Sequence, residues 1–290
     1  APVERLHSSP LAGRTLVKLG LKNRGAPSAG VTVTSEHLVS TPTGWVRARE
    51  LKTGGLVMTG TPAPNAAQWE ILTGGLIGDA GISKDGLYEF SQTSTRYARL
   101  KQRALGRLVV SGAELVRKTR PNDRQQWRVR LHIGPWSKRA RALWYPGGKK
   151  SIPSALRLSD LALAVWYMDD GHLSKTGYQH IFATDCFEDV SILMVELNRL
   201  GIAATVPSRR IFVSAAASRE ELVRRVAPFM PPEMRHKLPP GAPPFRPNLW
   251  PPRRVVSDFD SVVVTPRGAR GHSRVYCLTV GGSNNFVTSG

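Results

Sequence analysis

Two carboxylates stand where they could hold a metal ion. Asp79 closes the run Leu72-Thr-Gly-Gly-Leu-Ile-Gly-Asp79, and Asp170 closes Leu163-Ala-Val-Trp-Tyr-Met-Asp-Asp170. Both runs are apolar and helical in pattern, and a glycine follows each acid within two residues (Gly81, Gly171). The first run holds Gly74, Gly75 and Gly78, each costing about 1 kcal/mol against alanine in a helix. That cost is explained if another backbone must come very close, because glycine removes the obstructing side chain. Gly74 and Gly78 lie on one face, and the second run is the natural partner. Side by side and parallel, the two helices bring Asp79 and Asp170 together at their C-terminal ends. Two carboxylates there repel each other and oppose the helix dipoles. A divalent cation relieves that, and hard oxygen donors favour Mg²⁺, with Mn²⁺ as a substitute.

Helices are expected over 68–79 and 159–170. Each is followed by strand-like runs, a helix (94–105; 188–200), two further strand-like runs (107–110 with 126–133; 203–206 with 210–213) and another helix (137–143; 218–228). Each half then reaches a lysine before a proline, in Lys149-Lys150-Ser-Ile-Pro153 and His236-Lys237-Leu-Pro239. The pattern is a duplication that keeps both the acid and the base. Residues 1–62 read as β, with alternation in Val31-Thr-Val-Thr34. Residues 253–290 return to β through Ser261-Val-Val-Val264 and Val275-Tyr-Cys-Leu-Thr-Val280. A proline-dense connector, Pro239–Pro252, precedes that return.

The chain has 290 residues, 41% of them apolar, which is enough for one large or two medium cores. Lys and Arg number 41 against 21 Asp and Glu, a net charge of +20. Sixteen of the bases and only two acids fall between Arg96 and Lys150. A polyanionic partner is the simplest reading, and nucleic acid is the commonest one. No run approaches the roughly 20 apolar residues that span a bilayer. The N-terminal APVERLHSSP lacks the apolar stretch expected of a signal peptide, and two cysteines, Cys186 and Cys277, make neither a disulfide framework nor a four-cysteine zinc site. An intracellular, cytoplasmic protein associated with DNA and not with membrane is expected. His172, His180 and Cys186 lack zinc-ligand spacing.

The runs LTGGLIGDA (72–80) and LAVWYMDDG (163–171), with LWYPGGKKSIP (143–153) and MRHKLP (234–239), resemble the LAGLIDADG family of homing endonucleases over about residues 66–240. The resemblance implies an α+β fold of two pseudo-symmetric αββαββα halves, about 66–153 and 157–240 within a domain 66–245. It implies saddle-shaped antiparallel sheets gripping double-stranded DNA, and Mg²⁺-dependent cleavage of both strands at a long site. A monomer with an internal pseudo-two-fold axis follows. Asp79 and Asp170 then hold metal and act in catalysis, with Asp169 the lesser candidate. Ala80 departs from the family's usual glycine, which Gly81 could supply by a shift of one. Lys150 and Lys237 match the family's basic positions, with Lys149 as the alternative to Lys150. A lysine there stabilises developing charge on the phosphate or polarises a water.

Residues that read bases should lie on the strands. The candidates are Lys84, Gln92, Arg117, Lys118, Arg120, Arg128, Arg130, Lys175, Gln179, Arg209 and Arg210. Arg128 and Arg130 share one side of a strand, with Trp127, Val129 and Leu131 on the other. Lys138, Arg139 and Arg141 are expected to bind phosphate.

The chain ends carry a second resemblance. VTVTSEHLVSTPTGWVRARELKTGGLV (31–57) is similar to the intein and Hint motif containing Thr-x-x-His, here Thr34 and His37, and RVYCLTVGGSNNFVTSG (274–290) is similar to the late strand pair. An all-β Hint-like module formed by both ends, interrupted by an endonuclease, is the layout this implies. Thr34 and His37 would then polarise a scissile amide, with Cys277 as a vestigial nucleophile. With Ala1 first, Gly290 last and Val39 where the Cys-dependent variant has Trp, splicing is expected to be inactive. Two alternatives stand beside this reading: a splicing protein with a dead endonuclease, and a non-cleaving DNA- or RNA-binding protein of maturase or regulator type.

Overall fold

A computed structural model describes residues 3–10, 15–21, 30–116, 125–251, 256–267 and 274–280. In chain order it begins with β1 (Val3–Pro10), β2 (Leu16–Leu21), β3 (Gly30–Thr34), β4 (Leu38–Thr41), β5 (Gly44–Arg47) and β6 (Leu56–Ala63). Then come α1 (Ala66–Ile77), β7 (Ala80–Ile82), β8 (Tyr88–Gln92), α2 (Thr95–Leu105), β9 (Val109–Val116), β10 (Gln126–Leu131) and α3 (Pro135–Trp144). They are followed by α4 (Asp160–Asp170), β11 (Gly171–Leu173), β12 (His180–Ala183), α5 (Ser191–Arg199), β13 (Arg210–Val213) and α6 (Ala216–Val226). The order closes with β14 (Val256–Arg267) and β15 (Arg274–Val280). The chain divides into two compact units, one of Ala1–Thr61 with Ser257–Gly290 and one of Pro62–Val256.

Among its described residues the flanking unit is built of β-strands, with one short 3-10 turn at Ala48–Glu50. Its four-stranded sheet runs β3-β2-β14-β6, and β1 pairs with β15 and β4 with β5. Val17, Leu19, Ala48 and Val57 form its small core.

The central unit is mixed α and β, built around the α1–α4 pair. An Asn65–Gln68 capping box starts α1, and the buried Gln68 amide also donates to the Ala104 and Leu105 carbonyls (3.0 and 3.3 Å), tying α1 to the end of α2. Ser159 caps α4 by accepting from the Ala162 N–H and donates to Glu70 of α1 (2.7 Å). Leu161 to Met168 are eight consecutive buried residues, as expected for a helix apolar all round and covered on every side. The close approach read from the glycines is present. A Cβ on Gly74 would collide with the Ala162 carbonyl oxygen and lie 2.8 Å from Val165 Cβ, and one on Gly78 would lie 2.6 Å from Asp169 Cβ. Gly74→Ala is therefore expected to destabilise the central unit by about 3 kcal/mol, the upper end of overpacking costs. Urea denaturation measures it, and an unchanged midpoint would mean the helices are not in contact.

The first antiparallel sheet has the order β7-β8-β10-β9, and the second β11-β12-β13. In β8, Tyr88, Phe90 and Gln92 face the core while Glu89 and Ser91 face out; in β10, Val129 and Leu131 face in while Arg128 and Arg130 are partly exposed. The strand expected over 203–206 is reduced to a bridge, Thr205 with Phe212. Pro207 follows it, and a proline has no N–H to continue a ladder. Among the described residues, no helix is long and apolar enough to cross a membrane.

Candidate active site

The α1–α4 packing delivers the two acids to one place. Gly78 caps the end of α1, and Asp79 follows; Asp170 is the last residue of α4. Both line a cleft of about 600 Å³ that Lys150, Glu89, Asp185 and Cys186 also line. Burial first, then the charges of Asp79 and Asp169, push the Asp170 carboxyl up to about 7, against the pull of Lys150 and Lys237.

Each helix end is met by one lysine. Lys150 Nζ donates to the Gly78 and Ala80 carbonyls (3.2 and 3.0 Å), on either side of Asp79. Lys237 Nζ donates to the Met168 carbonyl (2.6 Å) and reaches that of Asp169 (3.5 Å), just before Asp170. An ammonium at the negative end of a helix dipole offsets part of the repulsion between the acids. Burial pulls both lysines down, opposed by the surrounding aspartates. Lys149 pairs on the surface with Glu188 (2.8 Å), so Lys150 is the lysine turned to the acids.

Asp169 is placed quite differently from its neighbour. Its side chain and that of Lys101 are fully buried and paired at 3.0 Å. Tyr97 Oη donates to it (3.0 Å), and Gln92 Nε2 donates both to Asp169 Oδ1 (3.0 Å) and to Asp79 Oδ2 (2.9 Å). Burial pushes the Asp169 carboxyl up, and Lys101 and Tyr97 pull it back. With its oxygens so engaged, Asp169 is not open to a metal. Gln92, expected among the DNA-reading residues, is instead 5% exposed. Its amide joins two carboxylates, so its place is behind the site rather than against a base.

Sequence reading missed Lys101. One signal was available: with Tyr97, Ala104 and Leu105 it falls on the apolar face of α2, and a lysine on a buried face needs an acid partner.

The remaining candidates are dispersed. Lys84, Lys138, Arg139, Lys175, Arg209 and Arg210 are exposed. Arg128 and Arg130 flank Glu89 (4.0 and 3.5 Å), and Arg130 also approaches Glu114 (3.7 Å). Gln179 donates to Ser214 (3.1 Å). Arg141, expected on phosphate, instead donates to the Ile82 carbonyl and stacks 3.8 Å over the Tyr145 ring. Arg117, Lys118 and Arg120 lie outside the described residues. In the flanking unit Thr34 ends β3, and the His37 N–H donates to the Thr34 carbonyl (3.0 Å); burial lowers the His37 pKa. The Cys277 backbone pairs with His7 between β15 and β1.

Among the described residues, no group of three or more His, Cys, Asp or Glu is poised around one point. Mg²⁺ needs fewer, since it keeps several waters and is held by one or two carboxylates with substrate phosphates. The donors at this site are oxygens. Burial, and then the charges of Asp79 and Asp169, raise the Asp170 carboxyl despite two lysines, and a bound cation would offset that repulsion. Asp79 and Asp170 therefore fit a hard divalent cation.

Residues 69–211 match the family model described as the LAGLIDADG DNA endonuclease family. A solved structure, the homing endonuclease I-WcaI bound to its DNA recognition sequence, superposes with a TM-score of 0.55 at 24% identity, over 61% of this chain and 88% of that one. Protein RecA of Mycolicibacterium flavescens is 28% identical over 75% of this chain and 57% of its own length, so the chain spans little more than half of that relative. Protein RecA of Mycobacterium shimoidei is 26% identical over 93% of this chain and 70% of its own length. Cytochrome b mRNA maturase bI2 of Debaryomyces hansenii is 27% identical over 58% and 72%.

Proposed function

We propose that this chain, whose residues 69–211 match the LAGLIDADG DNA endonuclease family model, is a site-specific DNA endonuclease that cuts both strands of its target with Mg²⁺. The observation that carries the proposal is the convergence of Asp79 and Asp170 on one cleft, each with a lysine at its helix end. Bound there, a divalent cation supplies Lewis-acid polarisation of a phosphate oxygen and a water of lowered pKa.

The chain's own residues do the rest. Asp79 and Asp170 bind and orient, and Gln92 holds the Asp79 carboxylate in place. Each ammonium has three protons. Lys150 gives two to carbonyls, which leaves one for the scissile phosphate, where developing charge is stabilised. Lys237 has the corresponding part at the second helix end. The two halves, about 66–153 and 157–240, act as a pseudo-two-fold monomer with one half per strand. Arg128, Arg130, Lys84, Lys175, Arg209 and Arg210 contact the duplex, with Arg117, Lys118 and Arg120 beside them. Lys138 and Arg139 neutralise phosphates.

The β-rich ends, with Thr34 and His37 in a Hint-like motif and Cys277 in a late strand, we read as an intein-type module around the endonuclease. The RecA matches that run through most of this chain support that reading. The maturase match supports a second one, in which the fold binds RNA without cutting. Retention of both acids in the cleft favours cleavage.

The test is a randomised duplex library incubated with the chain and Mg²⁺, with the broken ends sequenced. Breaks on both strands at one enriched sequence are expected; structured RNA bound with no DNA breaks would favour the maturase reading. Binding to the recovered site should also depend steeply on salt. With about 6–10 phosphates neutralised, affinity is expected to fall by about three to five decades between roughly 50 and 200 mM salt. A flat response in a filter-binding titration would contradict phosphate-dominated binding.

A further inference from the structure

Lys237 reaches α4 from a short helical turn, Pro232–Lys237, and that turn is held by a buried pair of side chains. Tyr167 is fully buried in α4. Its Oη lies 2.7 Å from the Lys237 carbonyl oxygen and 2.6 Å from His180 Nδ1. His180 is 2% exposed on β12, and its ring meets that of Tyr167 edge-on at 5.5 Å. A phenol has one proton and a carbonyl only accepts, so Tyr167 donates to Lys237. His180 must then present Nδ1–H to the phenol oxygen. Burial first, then the charge of Arg219, hold His180 down at about 4, so the ring is neutral and carries its one proton on Nδ1. Lys237 is thus gripped at both ends by α4: its carbonyl by Tyr167, its ammonium by the Met168 carbonyl.

We propose that Tyr167 and His180 are positioning residues that set Lys237 at the second half-site. This rests on the reading of Lys237 as a cleavage residue. The segment around Lys150 is held by another device, the Ser151 N–H on the Trp144 carbonyl (2.8 Å). Loss of the Tyr167–His180 pair therefore affects one strand and spares the other.

The experiment uses the full chain with Tyr167→Phe, His180→Leu and His180→Asn, the last keeping an N–H close to the place of Nδ1. The first readout is amide hydrogen exchange over 235–238, referenced to the slowest amides of α4. Tyr167→Phe and His180→Leu are expected to speed exchange of the turn about tenfold, the scale of one lost hydrogen bond, and His180→Asn to restore protection. The second readout is a supercoiled plasmid bearing the site recovered from the library. Tyr167→Phe and His180→Leu should accumulate nicked circles, with the uncut strand the same one that Lys237→Met leaves uncut. Unchanged exchange of the turn in both variants, or equal slowing of both strands, would overturn the proposal. Failure of the wild-type chain to cut would instead sink the endonuclease reading, and the exchange readout would still decide the clamp. If Tyr167→Phe does not fold, the His180 pair carries both readouts.

Discussion

Asp79→Asn and Asp170→Asn are each expected to lower double-strand cleavage by about three decades or more while leaving affinity for the target within a few-fold. Asparagine keeps the shape and one acceptor oxygen of each side chain but removes the charge that a hard cation needs. Loss of one preorganised electrostatic group at a reacting centre costs about two to three decades, and loss of a metal ligand belongs at or above that end. The duplex-binding candidates are elsewhere: Arg128 and Arg130 lie on β10, and Lys175 and Arg209 are exposed in the segments beyond α4. Removing a carboxylate also removes repulsion toward phosphate, so binding without metal should hold or improve. Rates from single-turnover cleavage and affinities from filter binding in a chelator separate the two effects. A variant that cuts at the wild-type rate would show that the acids do not hold metal.

Lys101→Met is expected to destabilise the central unit by about 3–5 kcal/mol, the range for breaking a buried ion pair from one side. The change strands Asp169, which has no exposed side-chain surface, beside Asp79 and Asp170. The carboxyl must then take up a proton or draw in water between α1 and α4, where even a Cβ on Gly78 would crowd it at 3.1 Å. The double variant Lys101→Met with Asp169→Asn removes both charges while keeping an acceptor for Gln92 and Tyr97, and should recover about half of the loss. Urea denaturation of Lys101→Met, of Asp169→Asn alone and of the double variant closes the cycle. A single-variant loss below about 1 kcal/mol would place the pair in contact with water. Because Gln92 touches both Asp169 and Asp79, Lys101→Met should also slow cleavage.

The helix pair and its two acids were legible in the sequence because glycine has few reasons to sit in an apolar helix. Gly74 and Gly78 named both the face and the need for a close partner. The lysines were legible as a repeated placement before a proline. What lay hidden was what stands behind them. Gln92 and Asp79 are thirteen residues apart, and nothing in either local pattern says that β8 turns Gln92 inward. Strand alternation gives two faces without saying which one is buried, so a polar residue goes by default to the wet face. Asp169 reads as the weaker neighbour of Asp170. The helix places it one residue earlier, about 100° around, which carries it into the α1–α4 interface and onto Lys101. Arg141 shows the same limit in part: its ring partner Tyr145 lies one helical turn on at the end of α3, but its backbone partner, the Ile82 carbonyl, comes from β7.

The most direct measurement of the central claim is the fate of a supercoiled plasmid carrying the recovered site, followed in Mg²⁺ and in chelator. The two-acid cleft predicts linear product cut on both strands in Mg²⁺, and intact plasmid in chelator despite continued binding. Plasmid that stays supercoiled in Mg²⁺ while bound, or linear product formed in chelator, would contradict it.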